Sequence, residues 1–233
     1  MQKLEMLYEG KAKQVFKTEE PDKYIIHYKD DATAFNGEKK GQIADKGVIN
    51  NKISAVLFNI LKEQGIPTHF EKLLSDRDSL VKAVDIVLLE VIVRNTAAGS
   101  ICKRLGFVEG TKLETPILEF CYKADEYGDP VINEDHIQAL KLATKEQVET
   151  IKNYTRKINT ILIDFFKEKG LNLIDFKLEF GIYKGEIVLA DEISPDTCRL
   201  WDVNTNEKMD KDRFRRDLGS IEEAYKEVLS RME

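Results

Sequence analysis

Residues 173–181 read Leu-Ile-Asp-Phe-Lys-Leu-Glu-Phe-Gly, and charged and apolar side chains alternate along this stretch. Alternation with a period of two predicts a β-strand, in which successive side chains point to opposite faces. One face then carries Asp175, Lys177 and Glu179, each separated from the next by about 6.6 Å along the strand. The opposite, core-facing side carries Phe176, Leu178 and Phe180. A solvated edge strand has the same alternation, so this pattern needs support from its neighbours before it indicates a site.

The next apolar run, residues 187–190, ends in a carboxylate at Asp191. A hairpin would bring this carboxylate back beside Glu179, and paired carboxylate oxygens suit Mg²⁺. The register decides whether the two meet. A two-residue turn at 184–185 pairs Glu179 with Ala190 and puts Asp191 on the opposite face, whereas an odd-length loop or a bulge puts it on the Glu179 face. Both registers are compatible with the sequence.

The rest of the chain mixes strand and helix patterns without regular βαβ alternation. Strands are predicted at 4–9, 13–18, 23–29, 68–74, 80–84 and 85–94, a polar loop at 30–41, and helices at 43–64, 97–105, 144–169 and after residue 220. This order favours an α+β fold with largely antiparallel sheets and flanking helices. The predicted lobes are a β-rich N-terminal lobe with one helix (1–84) and a C-terminal α+β lobe (85–233).

Composition narrows the functional classes. The chain has 233 residues, of which 42% are hydrophobic and 33% charged, as in water-soluble globular proteins. A net charge of −6 argues against binding of a nucleic-acid backbone. The longest apolar stretch, 83–93, is too short and too charged to cross a bilayer, and the N-terminus lacks a secretory signal pattern. We expect a cytoplasmic protein that binds neither nucleic acid nor membrane.

Two segments have the composition of phosphate-binding sites. Gly10, Lys11 and Lys13 follow one another between two short strands, where glycine allows close backbone approach and lysines supply charge. Neither a Walker loop nor a GxGxxG motif occurs, so the segment by itself favours a plain hairpin turn with solvated lysines over a phosphate site. Arg94 ends an apolar strand, and small residues and Ser100 follow it, a pattern suited to a phosphate monoester or to simple strand capping.

Two further polar segments lie in the last forty residues. The loop at 194–199 follows the predicted carboxylate strand and would bring Asp196 and Arg199 over the same site. Residues 211–216 form a basic cluster, KDRFRR, whose default interpretation is a solvated helix face. No metal-binding or redox spacing connects the cysteines or histidines.

Together these segments resemble the SAICAR synthase (phosphoribosylaminoimidazole-succinocarboxamide synthase) family of purine biosynthesis. The likeness covers essentially the whole chain and rests on five segments: YEGKAK at 8–13, EVIVRNTAAGS at 90–100, LIDFKLEFG at 173–181, ISPDTCRLWD at 193–202 and KMDKDRFRRDLG at 208–219. The resemblance implies a two-lobed architecture related to ATP-grasp enzymes, with ATP in the cleft between the lobes. It also implies ligation of carboxyaminoimidazole ribotide (CAIR) to L-aspartate through an acyl phosphate, with ATP and Mg²⁺, by a dimer.

The resemblance also implies residue roles. The expected ATP-binding residues are Gly10, Lys11, Ala12, Lys13, Val15, Lys82, Val84 and Ile86. The expected Mg²⁺ ligands are Glu179 and Asp191, which requires the odd-length loop or bulge. The expected ligands of the ribotide and the amino acid are Arg94, Ser100, Asp175, Lys177, Asp196, Arg199, Lys211 and Arg215. Lys177 and Lys13 would act as the catalytic charges, and no base for the aspartate amine is evident.

Two positions depart from the family pattern: Leu88 stands where proline is expected, and Asn36 stands near an expected acidic residue. Three other functions remain open from the residues. A phosphotransferase would stop after phosphorylating a small metabolite, and a nucleotide sensor would need no second phosphate site. The third is an α+β domain whose charged strand only faces water.

Overall fold

A computed structural model of the chain describes residues 1–34 and 37–232. The strands are β1 (Met6–Glu9), β2 (Lys13–Lys17), β3 (Lys23–Tyr28), β4 (Asp31–Ala34), β5 (Lys39–Gln42), β6 (Phe70–Leu73), β7 (Asp78–Lys82), β8 (Asp85–Thr96), β9 (Lys112–Tyr122), β10 (Val131–Ile132), β11 (Leu171–Tyr183), β12 (Glu186–Ala190) and β13 (Cys198–Asp202). The helices are α1 (Lys46–Glu63), α2 (Ser100–Leu105), α3 (Glu134–Ala139), α4 (Lys145–Glu168), α5 (Asp212–Arg215) and α6 (Ile221–Met232).

The strands form two main antiparallel sheets. The first has the order β1-β2-β3-β7-β6, and the second has the order β10-β9-β8-β11-β12 with β13 also paired to β11. The predicted α+β fold with antiparallel sheets and flanking helices is confirmed. Only two residues separate β7 in the first sheet from β8 in the second, and the predicted lobe boundary at 84 falls there.

The thirteen-residue strand β11 is the axis of the second sheet. β8 lies along one edge, while β13 pairs with the first half of β11 and β12 with the second half. The three phenylalanine and leucine side chains predicted to face the core, Phe176, Leu178 and Phe180, are each 1% exposed. Because one strand has different neighbours at its two ends, its charged face is divided between two surroundings.

The core behind this sheet is covered by α4, whose capping box of Thr144 and Gln147 is formed as predicted. Its apolar stripe, including Ile151, Ile158 and Leu162, packs into the same cluster as the inner residues of β8 and β11. Burial of such side chains is worth roughly 1.5–3 kcal/mol each, so this interface holds β11 firmly in place.

The two sheets are joined by backbone hydrogen bonds around Leu189 of β12. Its N–H donates to the carbonyl of Pro67 at 2.8 Å, and its carbonyl accepts from the N–H of His69 at 2.8 Å. The strand that precedes Asp191 is therefore fixed to the segment that leads into β6. Any ligand held by both sheets would lie beside this junction.

The prediction of a polar loop at 30–41 is wrong for the described part of that stretch. β4 and β5 pair as a hairpin, with Asp31 opposite Gln42. Ala32 and Ala34 are buried and pack against Phe214. Because the buried residues of β4 are small alanines, the sequence lacks the strongly apolar alternation that is typical of a strand. The expectation about Asn36 lies outside the described residues.

Candidate active site

The turn between β1 and β2 carries the first predicted phosphate-binding residues. The N–H of Gly10 donates to the carbonyl of Lys13 at 2.8 Å and closes the turn. Lys11 is exposed at the tip and pairs with Asp125 at 2.7 Å. Lys13 lies deeper, and its ammonium pairs with Asp191. The two neighbouring lysines therefore have different surroundings, one open to solvent and one joined to the end of β12.

The predicted metal ligands, Glu179 and Asp191, both lie among lysines. Glu179 is 4% exposed and accepts hydrogen bonds from Lys123 at 2.9 Å and Lys177 at 3.0 Å. Asp191 pairs with Lys13 across the junction of the two sheets. These carboxylates are thus held by ion pairs that a cation and its phosphate ligands can replace.

The hairpin register differs from the one that was required to bring Asp191 to Glu179. Tyr183 pairs with Glu186 and Glu179 pairs with Ala190, so the turn has two residues and residues 179–190 contain no bulge. The condition of an odd-length loop or bulge is therefore wrong. Asp191 leaves the ladder with φ of +59°, a left-handed conformation that is uncommon outside glycine. This backbone reversal, rather than the strand register, sets the direction of its carboxylate.

Burial and ion pairing act in opposite directions on the charges of this cluster. Burial alone would lower the pKa of the Lys177 ammonium, but Glu179 and Glu90 raise it above its usual value. Burial alone would raise the pKa of Asp191, but Lys13 and Lys177 lower it to about 2. Both groups are therefore charged near neutral pH. Lys177 can stabilise developing negative charge but cannot act as a base.

Two arginines converge on Asp175 in the first half of β11. Arg94 donates to Asp175 at 3.0 Å and to the Ser100 hydroxyl at 3.1 Å. One guanidinium nitrogen of Arg199 donates to both oxygens of Asp175, at 3.0 and 2.9 Å. Gly99 has φ of +64°, and a β-carbon there would collide with the Arg199 guanidinium. Close approach of the backbone to Arg199 therefore requires glycine.

A cavity of about 190 Å³ connects these groups. Its wall contains seven of the eight predicted substrate-binding residues: Arg94, Ser100, Asp175, Lys177, Asp196, Arg199 and Arg215. The eighth, Lys211, lies next to this wall, with its ammonium 3.4 Å from Asp196. The surroundings of the cavity combine arginine guanidinium groups at one end with the Lys177 ammonium at the other.

Of the residues predicted to line an adenine cleft, Lys82, Val84 and Ile86 lie near the C-terminal end of β11, and Val15 lies in β2 of the other sheet. Val15 packs against buried side chains of β3 and β7. The Lys82 ammonium donates to the Thr68 carbonyl at 2.9 Å. Val84 packs closely on Gly181: a β-carbon at position 181 would lie 2.7 Å from a methyl group of Val84.

The remaining two predicted ATP-binding positions are Ile86, in β8, and Ala12, in the β1–β2 turn. Ile86 is cross-strand from the glycine of β11 and is 40% exposed. The carbonyl of Ala12, in the β1–β2 turn, accepts from the N–H of Lys29 at 2.8 Å. The exposed Ile86 side chain offers an apolar surface beside Gly181.

The SAICAR synthetase family model matches residues 6–232 of the chain. The chain belongs to the SAICAR synthetase family. A phosphoribosylaminoimidazole-succinocarboxamide synthase from Caldanaerobacter subterraneus subsp. tengcongensis is 63% identical over 233 residues, which are 100% of this chain and 99% of that protein.

Solved structures agree with this family assignment. The crystal structure of phosphoribosylaminoimidazole-succinocarboxamide synthase from Ehrlichia chaffeensis has a TM-score of 0.96 at 47% identity and covers 98% of both chains. A SAICAR synthetase in complex with ADP has a TM-score of 0.95 at 48% identity, covering 98% of this chain and 97% of that one. The similarity therefore extends over both sheets and all of the elements that position the cavity.

Several charged residues of the site are not evident from the sequence. Glu90 accepts from Lys177 at 2.6 Å, and it could have been found from the pairing of β8 with β11, where it lies opposite Glu179. Lys123 and Lys46 had no such signal, because one follows β9 and the other begins α1. Their positions in the site depend on contacts between distant segments.

The carboxylate pair of the family fold has the donor set for Mg²⁺. The described residues contain no group of three or more His, Cys, Asp or Glu side chains suited to a metal ion. Mg²⁺ typically takes one or two protein carboxylates and completes its shell with water and substrate phosphates. Glu179, which is buried, and Asp191, whose side chain is 22% exposed, fit this pattern of two carboxylate ligands beside cations.

A larger cavity of about 360 Å³ lies away from these groups. Asn95, Lys112, Lys167 and Trp201 are in its wall, and none of the predicted site residues is. The volume of a cavity therefore does not by itself identify the charged site. Among the helices of the described residues, none is both long and apolar enough to span a membrane.

Proposed function

We propose that this chain uses ATP to join the carboxylate of CAIR to the amine of L-aspartate, giving SAICAR, ADP and phosphate in purine biosynthesis. The observation that carries the proposal is the division of strand β11. Asp175 lies between two arginines, Glu179 lies between two lysines, and Lys177 stands between them. One strand thus presents a fixed guanidinium pair, a lysine–carboxylate cluster and a cation at the midpoint.

The arginine end suits the phosphate of the ribotide. Guanidinium groups match phosphate oxygens geometrically, and Arg94 and Arg199 are held in place by Asp175. Ser100 adds a hydroxyl, and Asp175 retains acceptor capacity for ribose hydroxyl groups. This arrangement would place the imidazole carboxylate toward Lys177.

The lysine end suits a nucleoside triphosphate. Lys13 would contact phosphate oxygens once a competing cation releases it from Asp191, and Lys11 would close over the outer face. Glu179 and Asp191 would hold Mg²⁺, which neutralises phosphate charge when bound. Val15, Lys82, Val84 and Ile86 would surround the adenine, with the turn residues Gly10 and Ala12 next to the phosphates.

The reaction needs two bond exchanges. A carboxylate oxygen of CAIR attacks the γ-phosphorus, the bond to the β-phosphate oxygen breaks, and ADP leaves. The aspartate amine, in its neutral form, then attacks the acyl carbon, and the bond to the phosphate oxygen breaks. The nitrogen loses one proton to solvent or to the departing phosphate and keeps the other as the amide N–H. Lys177 would stabilise the negative charge on the carboxylate and the acyl phosphate in both steps.

The amine substrate carries two carboxylates besides its nucleophile. Lys211 and Arg215 lie at the cavity beside Asp196 and would bind these groups. We also propose a cytoplasmic homodimer that binds these small molecules and neither nucleic acid nor membrane. Sedimentation analysis at enzyme concentrations used in assays would test the dimer.

The test is ADP release by purified protein with Mg-ATP, CAIR and L-aspartate, complete and with each component omitted. We expect release that requires all of them, with one SAICAR formed per ADP, and loss of activity when EDTA removes Mg²⁺. Release without aspartate would instead indicate a phosphotransferase if a phosphorylated product accumulates, or loss of the acyl phosphate to water if CAIR is recovered with free phosphate. Absence of release in folded protein would overturn the proposal.

A further inference from the structure

Lys46 occupies a position that local physical rules disfavour. It is the first residue of the 18-residue helix α1, where a cation faces the positive end of the helix dipole. Its side chain is only 1% exposed, and the first turn of the helix contains no acidic residue to compensate. Asp45, just before it, has φ of +61° and makes no capping hydrogen bond through its side chain. Positions that break local rules in this way are commonly functional.

The partner of Lys46 lies 150 residues away at the wall of the reaction cavity. The Lys46 ammonium is 2.8 Å from one Asp196 oxygen, and the Tyr225 hydroxyl donates to the other oxygen at 2.6 Å. Lys211 approaches the first oxygen at 3.4 Å. Lys46 of α1 and Tyr225 of α6 therefore hold Asp196, a side chain of the cavity wall, although neither helix lines the cavity itself.

The charges of this group do not balance. Within 4 Å, one carboxylate, Asp196, faces two ammonium groups, Lys46 and Lys211. The nearby Glu192 carboxylate pairs instead with Lys13, at 3.0 Å, so the group keeps one positive charge in surplus. Arg215 is already paired with Asp212 at 2.7 Å. A partly buried surplus charge attracts an anion, because water screens it poorly. One additional carboxylate would neutralise the group.

The geometry also indicates which cation would receive that carboxylate. Lys46 is fully buried at 2.8 Å from Asp196, whereas the Lys211 side chain is 13% exposed and its contact is 3.4 Å long. The longer and more open contact is the weaker one. Lys211 can therefore turn to a new anion while Lys46 and Tyr225 keep Asp196 paired.

We propose that Lys46 is a positioning residue for the amino-acid substrate: it neutralises Asp196 so that Lys211 is available to a carboxylate of the incoming dicarboxylic amine. This inference rests on the proposed ligase function. Lys46 contacts neither substrate nor reacting atoms and acts through Asp196 and Lys211. Without its charge, Asp196 and Lys211 form a neutral pair, and the attraction for the amino acid is lost.

The test compares Lys46→Met with Lys46→Arg and with the control Lys52→Met. Lys52 lies on the same helix but pairs at the surface with Asp76, at 3.0 Å. Loss of a charge partner typically weakens binding at least tenfold, so we expect the KM for L-aspartate to rise about tenfold or more in Lys46→Met. The KM values for ATP and CAIR should change less than about twofold. Lys46→Arg should recover much of the aspartate affinity, and Lys52→Met should match the wild type.

The readouts separate this inference from the ligase proposal. A wild-type protein that makes no SAICAR would defeat both. An active wild type with an unchanged aspartate KM in folded Lys46→Met would defeat the role of Lys46 alone, as would an equal rise in all three KM values. If Lys46→Met does not accumulate as folded protein, Lys46→Gln keeps a donor for Asp196 without the charge and provides the same comparison.

Discussion

The carboxylates at the two ends of strand β11 are paired with different kinds of cation. At one end, Arg94 and Arg199 hold Asp175 through several short hydrogen bonds, and Arg94 is 3% exposed. At the other end, Glu179 is shared by Lys123 and Lys177, of which Lys123 has a 39% exposed side chain. Planar guanidinium groups are preorganised for phosphate, whereas lysines are flexible point charges. The first end is therefore built for one fixed anion, and the second for ion pairs that change partners.

This difference fits the proposed substrates. The phosphate of a ribotide keeps its charge throughout the reaction, so rigid donors cost nothing to reorganise. The phosphates of ATP arrive with a metal, change partners and leave as two products. Lysine–carboxylate pairs that open and re-form suit that exchange.

Removal of the cation at the midpoint should have the largest effect. Lys177→Met removes the charge next to the reacting carboxylate, and we expect kcat to fall about 10²–10³-fold because preorganised electrostatic stabilisation is lost. Steady-state kinetics with all substrates saturating would measure this change.

Lys184→Met provides a matched control for Lys177→Met. Lys184 lies on the same hairpin and pairs with Asp22 at the surface. It should retain wild-type kcat. A Lys177→Met enzyme with near wild-type kcat would show that neither end of β11 depends on the charge between them.

A change of cation type at the arginine end tests whether its planar geometry matters. Arg199→Lys keeps the charge but loses the guanidinium fork that contacts Asp175 and Asp212. We expect the KM for CAIR to rise about tenfold or more, with a smaller change for ATP. Arg216→Lys, at an exposed pair with Glu109, should leave both values unchanged. Equal effects on the two substrates would contradict the separation of the two ends.

Asp210 provides a pH test behind the arginine end. Burial and then the neighbouring Asp212 raise the pKa of the Asp210 carboxyl to about 7. An unfolded aspartate titrates near pH 4, so between about pH 4 and 7 the folded state holds one more proton than the unfolded state. This group therefore makes the free energy of unfolding fall as pH rises, with a slope approaching about 1.4 kcal/mol per pH unit.

The variant Asp210→Asn cannot lose this proton. Its free energy of unfolding relative to the wild type should rise from pH 4 to 7 and level off above pH 7. Urea denaturation at a series of pH values would measure the difference. Parallel pH profiles for the two proteins would show that Asp210 does not titrate in this range.

The smallest effect is expected at the tip of the β1–β2 turn. Lys11 pairs with Asp125 in an exposed contact, and such pairs contribute about 0–1 kcal/mol to stability. Lys11→Ala should raise the KM for ATP only a few-fold, since water screens its charge. Lys13→Ala should raise the same KM much more. A larger increase in the KM for ATP in Lys11→Ala than in Lys13→Ala would indicate that the ATP phosphates bind near the tip of the turn rather than at the junction of the sheets.

Local patterns predicted many of the strands and helices and grouped charged residues that lie together in the fold. The alternation at 173–181 predicted both faces of β11, and the capping pattern at Thr144 predicted the start of α4. Segment order and motif content indicated the family, and the residues predicted to bind the substrates lie together around the smaller cavity. Periodicity and capping depend on neighbours within a few residues, so a single sequence contains this information.

Contacts between distant segments were decided only by the tertiary structure. The direction of Asp191 depends on one left-handed residue after a regular hairpin, and the pairing of Lys46 with Asp196 depends on where α1 packs. The β4–β5 hairpin lacked an apolar pattern because small alanines form its buried face. In each case the stabilising partner is remote in the chain, so the residues adjacent in sequence do not predict the contact.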